Sequence, residues 1–246
     1  MIAWMQRGFF GAAPVVIFYL LLATFVFFLT VYAFPRWYLR HRIQNKDWQA
    51  ADIFREIFVS IISILTGSLL LQVPYSAFFK AHSLVYQDPG YYGFVYIPFS
   101  FLLLLFLHDT NFYFFHRLLH RPFLFKTVHY LHHRSTHPSI FAASSFHPIE
   151  TIFLTFWIIP ITFLIPLNAT MLSSTTILIY LHTFFFHYGV ELLPRRFRSN
   201  KIGGWINTTT NHDLHHLELQ SNFGSFLIFW DWCFRTLKSP TKSGAA

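Results

Sequence analysis

GYYGFVYIPFSFLLLLFLHDTNFYFFHRLLHRPFLFKTVHYLHH, residues 90–133, decides how this chain is read. Its first half, Gly90 to Leu107, carries no charge and is long enough to cross a hydrocarbon core of about 30 Å at 1.5 Å per residue. No breaker separates that run from His108-Asp109, and it continues to His116; His120 and the box His129-Tyr-Leu-His132-His133 follow. A membrane span thus leads directly into clustered imidazoles.

The rest of the chain repeats the theme. The apolar fraction is 54% and the charged fraction 11%, which places the chain among membrane proteins. Thirty-three Phe, twelve Tyr and seven Trp suit lipid contact and interface belts. Residues 8–35 and 57–79 form two further spans. From Thr151 to Val190 there is again no Asp, Glu, Lys or Arg, and Pro160, Pro166 and Asn168 interrupt the run. That pattern predicts a helical hairpin over 148–187, turning near Pro166-Leu-Asn168. The expected architecture is all-α, a bundle of four or five transmembrane helices in one domain over 1–246. Residues 108–147 and 188–237 form a His-rich helical cap, and 238–246 a disordered tail.

Lys and Arg locate the cap. Of eighteen, five lie at 36–55, four at 117–134, four at 195–201 and three at 235–242. With the amino terminus outside, all of these are cytoplasmic, leaving Arg7 and Lys80 on the other side. The formal charge of +8 is therefore a matter of topology. No basic stripe is interleaved with stacking aromatics, which argues against nucleic acid. Cys233 alone makes no disulfide framework and is expected as a buried small hydrophobe.

Thirteen of the fifteen histidines fall at or beyond cytoplasmic helix ends, and His41 and His82 are expected to be interfacial or solvated. His116 and His120 stand one turn apart. The boxes His129/His132/His133 and His212/His215/His216 share a spacing in which each set projects together and converges on a small volume. Burying so many imidazoles without partners is costly, so metal coordination is expected. Zinc, iron, copper and nickel all accept imidazole. A structural zinc takes four protein ligands and a catalytic one three, so this many histidines fit two metals. No HExxH is present, which counts against a zinc peptidase.

His116-Arg-Leu-Leu-His120, His129-Tyr-Leu-His132-His133 and His212-Asp-Leu-His215-His216 resemble the HxxxH, HxxHH, HxxHH series of the sterol desaturase/fatty acid hydroxylase superfamily. Asp109, Phe146-His147-Pro148-Ile149-Glu150, His187-Tyr-Gly189, Asn222-Phe-Gly224 and Phe229-Trp-Asp231 support the resemblance, which covers 108–237. The Phe-His-Pro and His-Tyr-Gly elements look nearer the sterol-modifying branch than the fatty-acyl 2-hydroxylases.

The resemblance implies a membrane oxidoreductase with two non-haem irons, using O2 to hydroxylate or desaturate a sterol or other lipid alkyl C–H. Its implied ligands are His116, His120, His129, His132, His133, His187, His212, His215 and His216, with His182 a tenth candidate. Asp109 would orient a ligand imidazole, and His108, His147, Glu150 and Asn207 would support the ligands from behind or hold water. No GxGxxG or CxxCH occurs, so electrons would come from an external donor, cytochrome b5 or a ferredoxin with its reductase. Arg195, Arg196, Arg198 and Lys201 are candidates to meet it. The endoplasmic reticulum and the bacterial inner membrane both fit. A zinc-dependent membrane hydrolase or a non-catalytic metal-binding membrane protein is the alternative.

Overall fold

In lipid every backbone N–H and C=O must be paired within the protein, so charge-free apolar runs fold as helices. The structure, a computed structural model, describes residues 2–71, 73 and 76–238. Among these, four helices are long and apolar enough to cross a membrane: Ala12–Ala33, Ala50–Leu70, Tyr96–Leu119 and Ala169–Phe186.

In chain order, α1 (Ile2–Phe28) is finished by a π-helical turn, Leu29–Ala33. Next come α2 (Pro35–His41), with proline at its first turn, and α3 (Ala50–Leu70). The short α4 (Ala77–His82) and the long α5 (Tyr96–Leu119) follow. The second His box lies on α6 (Pro122–Leu124), a π turn over Phe125–His129, and α7 (Tyr130–His133). The hairpin is α8 (Pro148–Phe156), α9 (Ile158–Leu164) and the returning α10 (Ala169–Phe186). The cap is completed by α11 (Arg195–Arg198), α12 (Thr209–Glu218) and α13 (Phe229–Cys233).

At the hairpin turn β1 (Val85–Tyr86) pairs in parallel with β2 (Leu167–Asn168). Asn168 starts α10 by accepting from the amides of Thr170 (3.1 Å) and Met171 (3.2 Å), as an N-cap does. Its amide donates to the Gln87 carbonyl at 3.1 Å, tying the turn to the loop before α5.

An apolar core around Tyr19, Ile64, Ile140, Phe141 and Phe184 joins α1, α3 and α10 to the segment after the second box. Polar contacts fix its register: Tyr19 Oη donates to the Phe141 carbonyl at 2.6 Å, and Ser60 Oγ to the same oxygen at 2.9 Å.

Two spans depart from expectation. The helix sought at 57–79 is Ala50–Leu70, and the one sought at 90–107 runs over Tyr96–Leu119. In both, charged or polar residues suggest helix ends, yet they lie within the helices and find partners there. Arg55 pairs with Asp52, and buried Glu56 accepts a hydrogen bond from Ser139. His108 and Asp109 are buried within α5 rather than beyond it.

Cys233 corrects another expectation, since it is exposed. The inward position of the short α13 goes to Asp231, fully buried two residues earlier. His41 and His82 are exposed, as expected, each bonded through Nδ1 to the carbonyl one turn back. The tail expected to be disordered lies, from residue 239 onward, outside the described residues.

Candidate metal centre

Two groups of imidazoles form where the ends of α5 and α10 meet α7 and α12. His116, His120, His129, His133 and His215 make one, and His132, His187, His212 and His216 the other. Within each group one ligand atom per residue lies within 4.8 Å of all the others.

The expectation that each box converges as a unit is corrected. His129 and His133 join the first group while His132 joins the second; His212 and His216 join the second while His215 joins the first. At about 100° per residue, positions i and i+4 differ by about 40° around the helix, whereas i+3 and i+4 differ by about 100°. The i, i+4 pair therefore serves one centre, and the intervening histidine turns to its neighbour.

Backbone and carboxylate oxygens fix which ring nitrogen faces inward. Nδ1 of His116 meets the Phe223 carbonyl at 3.0 Å, that of His132 the Ser145 carbonyl at 3.2 Å, and that of His187 the Thr183 carbonyl at 2.8 Å. His215 Nδ1 meets the Ser221 carbonyl at 2.6 Å, and His129 Nδ1 meets Glu150 Oε1 at 2.8 Å. A carbonyl only accepts, so in His116, His132, His187 and His215 the proton sits on Nδ1 and Nε2 presents a lone pair.

The Nε2 atoms then face one another. His129 lies 3.1 Å from His120 and 3.0 Å from His133, which is 3.1 Å from His215. In the second group His212 is 3.1 Å from His187 and 3.2 Å from His216. Nitrogens about 2.1 Å from one cation are about 3.0 Å apart at right angles and about 3.4 Å apart at the tetrahedral angle. The spacing therefore fits a cation in each group.

Burial keeps these rings neutral and able to ligate. Desolvation, then the neighbouring His116, pushes His120 down to about 2. Desolvation takes His187 to about 4. His129, His132, His133, His212, His215 and His216 are all held well below the usual histidine range, first by burial and then by neighbouring imidazoles.

Supporting residues divide by what they touch. Glu150 is fully buried and holds His129, forming a carboxylate–histidine pair. Asp109 touches no ligand imidazole. Its two oxygens accept from the amides of Phe226 (2.7 Å) and Leu227 (2.8 Å), anchoring the segment after the third box to α5. Asp109→Asn turns one acceptor into a donor against an amide, and should cost about 1–3 kcal/mol in an unfolding titration.

Asn207 likewise contacts that segment, donating to the Gly224 carbonyl at 2.8 Å. His147 caps α8, its Nδ1 accepting from the Ile149 amide at 3.2 Å. His182 lies outside both groups and stacks on Phe226, ring centres 3.8 Å apart. His108 Nε2 is 3.3 Å from Ser225 Oγ.

Sequence reasoning assigned no site role to Asp231 or Gln44. Asp231 accepts from the amides of Phe223 (2.8 Å) and Gly224 (2.7 Å), which fixes the carbonyl that His116 uses. A Cβ on Gly224 would stand 2.5 Å from the Leu227 carbonyl oxygen and 2.9 Å from Asp231 Oδ2. Gly224→Ala should therefore destabilise by about 1–3 kcal/mol and lower metal retention, measured as melting temperature and bound metal together. Gln44 donates to the Thr136 carbonyl (3.0 Å) and to Asp213 (2.8 Å), strapping the second box to the third. Nothing in its sequence context marks it.

A cavity of about 130 Å³ borders both groups, lined by His116 and His129 of one and His132, His187 and His212 of the other. Its walls continue between α3, α8 and α10 through Ile64, Leu154 and Ile179. Apolar cavities of about 150 Å³ take up benzene, so this one accepts a ring-sized piece of an apolar molecule. His108, His182 and Glu150 also line it.

Residues 101–236 match the fatty acid hydroxylase family. The chain is 28% identical to lathosterol oxidase of Rattus norvegicus, over 81% of this chain and 66% of that protein. Against lathosterol oxidase of Homo sapiens it is 31% identical over 73% of this chain and 58% of that protein. Against the Delta(7)-sterol 5(6)-desaturase of Leptosphaeria maculans it is 29% identical, over 98% and 61%. The chain spans about two thirds or less of the length of these curated relatives. No solved structure matches it. The matched segment contains both imidazole groups, Glu150 and the anchoring Asp109 and Asp231, and covers more than half of the sequence; the chain is a multi-pass membrane member of the fatty acid hydroxylase family, within the sterol desaturase/fatty acid hydroxylase superfamily.

Proposed function

We propose that this chain is an O2-dependent di-iron lipid oxidase, which hydroxylates or desaturates a C–H position of a sterol or other lipid alkyl group. The observation that carries this reading is the division of nine neutral imidazoles into groups of five and four beside one apolar cavity. Five nitrogens exceed what zinc takes from a protein, and imidazole suits iron. Two irons bound there would supply the oxidising power for an unactivated C–H bond, which no side chain offers.

The chain's own residues do the rest. His116, His120, His129, His133 and His215 hold one metal, and His132, His187, His212 and His216 the other. Glu150 and the carbonyls of Ser145, Thr183, Ser221 and Phe223 keep the rings turned inward. Ile64, Phe112, Leu154 and Ile179 seat the alkyl group and keep bulk water from the reacting carbon. Sterols are favoured as substrates because the relatives named above are a lathosterol oxidase and a sterol 5(6)-desaturase.

Residues 1–246 act as one membrane domain, with the cap on the cytoplasmic side of the endoplasmic reticulum or a bacterial inner membrane, following the basic clusters. Electrons arrive from cytochrome b5 or a ferredoxin with its reductase. Arg195, Arg196 and Lys201 are exposed and free to meet such a donor, whereas the Arg198 guanidinium is engaged with the Leu193 carbonyl at 3.0 Å. Replacing Arg195, Arg196 and Lys201 with Ala should slow reduction and weaken its salt dependence; unchanged reduction kinetics would remove this surface from the reading.

The deciding experiment is Mössbauer spectroscopy on protein from iron-57-grown cells, with turnover of sterol and fatty-acyl lipids in and without O2. About two irons per chain and oxygen-dependent product support the proposal. Tightly bound zinc after iron reconstitution, with oxygen-independent hydrolysis or no turnover, supports the hydrolase or metal-binding alternative instead.

A further inference from the structure

Among the polar groups lining the apolar cavity outside the metal centre are two hydroxyls that face one glycine. In the last turn of α3, Gly67 is buried, and a Cβ built on it would lie 3.6 Å from Thr155 Oγ1 and 3.7 Å from Tyr180 Oη. Two hydroxyls, one from α8 and one from α10, therefore flank the same glycine. Both residues line the cavity.

Neither hydroxyl has a protein partner among the described residues. The other hydroxyls nearby do: Thr151 Oγ1 pairs with Ser63 Oγ at 2.8 Å, and Thr176 and Thr183 bond back to the carbonyl one turn earlier. Thr155 makes no such bond. A hydroxyl facing an apolar cavity without a partner costs free energy that a ligand's oxygen can recover.

Distance along the helices adds a constraint. Tyr180 precedes the metal-facing His187 by seven residues, and Thr155 follows Glu150 by five. At 1.5 Å per residue Tyr180 lies about 10 Å along the helix axis from His187, and Thr155 about 8 Å from Glu150, the partner of His129.

We propose that Thr155 and Tyr180 form a subsite for a single hydroxyl of the substrate. The substrate is then a monohydroxy lipid whose oxygen is held beside Gly67, with the rest of its body lying towards the imidazole groups. The missing side chain of Gly67 leaves room for that oxygen and the carbon bearing it. This inference rests on the reading of the cavity as a substrate site, but its test needs no turnover.

The oxygen can belong to a sterol or to a long-chain alcohol, and matched probes separate them. Binding of 5α-cholestan-3β-ol against 5α-cholestane, and of hexadecanol against hexadecane, is measured on the detergent-purified full chain by displacement of radiolabelled probe. The unaltered protein should prefer one alcohol over its hydrocarbon by about thirtyfold, and which pair shows this names the source. Tyr180→Phe and Thr155→Val, both close in shape to the native residues, should each reduce that preference about fivefold and leave hydrocarbon binding unchanged. Absence of any alcohol preference in the unaltered protein, or a preference untouched in the double variant, overturns the subsite. Preference retained in a protein that shows no oxygen-dependent turnover overturns the oxidase reading and leaves the subsite standing.

Discussion

His133→Ala is expected to lower bound metal from about two per chain to about one and to abolish lipid oxidation. The His133 Nε2 lies within 3.0 Å of His129 Nε2 and 3.1 Å of His215 Nε2, so its loss opens the five-nitrogen group at the middle. His216→Ala should do the same to the four-nitrogen group. Each loss should exceed 100-fold in turnover, because even the partner behind a ligand is worth 10–100-fold in affinity or activity.

Glu150→Gln supplies the graded comparison. The glutamine keeps the shape and can still accept from His129, but the carboxylate's charge is gone. A decline of 10–100-fold in metal affinity is expected, with both metals still loaded at saturation. The measurement is metal content and turnover against added iron for all three variants. If His133→Ala kept two metals and normal turnover, the five-histidine assignment would be wrong.

The second large effect concerns the protein stripped of metal. Eight of the nine grouped histidines lie outside the membrane spans, and all eight are held neutral when folded, His187 down to about 4 and His120 to about 2. Their unfolded value is near 6.5. Below that pH the unfolded chain takes up protons that the folded chain refuses. Stability is therefore full above about pH 6.5 and falls as the pH drops towards the folded values.

Each excess proton contributes about 1.4 kcal/mol per pH unit, so three imidazoles alone remove about 4 kcal/mol per unit from an ordinary 5–15. Glu150, held well above the usual carboxylate range by burial, Asp213, raised by burial to about 6, and Asp231, also raised by burial, act in the opposite sense, but they are three against eight. Chelator-treated protein should melt sharply lower at pH 5.5 than at pH 7.5, while metal-loaded protein changes little between the two. Equal melting of the metal-free protein at both values would contradict the buried, neutral state of the ligands.

How much of this was legible in the chain follows the range of each interaction. Apolar length marks a span, so the helices were readable from hydropathy. Their ends at Ala50 and Leu119 were not, because Asp52, Arg55, Glu56 and Asp109 look like solvent-facing residues until their partners are known. The hairpin turn at Pro166-Leu-Asn168 was readable because proline and an Asn cap act on their immediate neighbours.

The imidazoles divide the same way. Spacing along one helix identified the histidines that face together. Which metal group each joins depends on how α5, α7, α10 and α12 pack, and that packing splits both His-x-x-His-His boxes between two groups. Glu150 was readable as a support, but the Ser145, Thr183, Ser221 and Phe223 carbonyls were not, since every residue carries a carbonyl and only the fold decides which face a ring.

The sequence by itself determined the membrane class, the presence of clustered ligands and the family, because these rest on composition and on contacts within a turn or two of helix. The tertiary structure alone decided the five-and-four division, the Gln44 strap, and the paired hydroxyls of Thr155 and Tyr180 across Gly67. These join residues far apart in the chain, and no local periodicity encodes their approach.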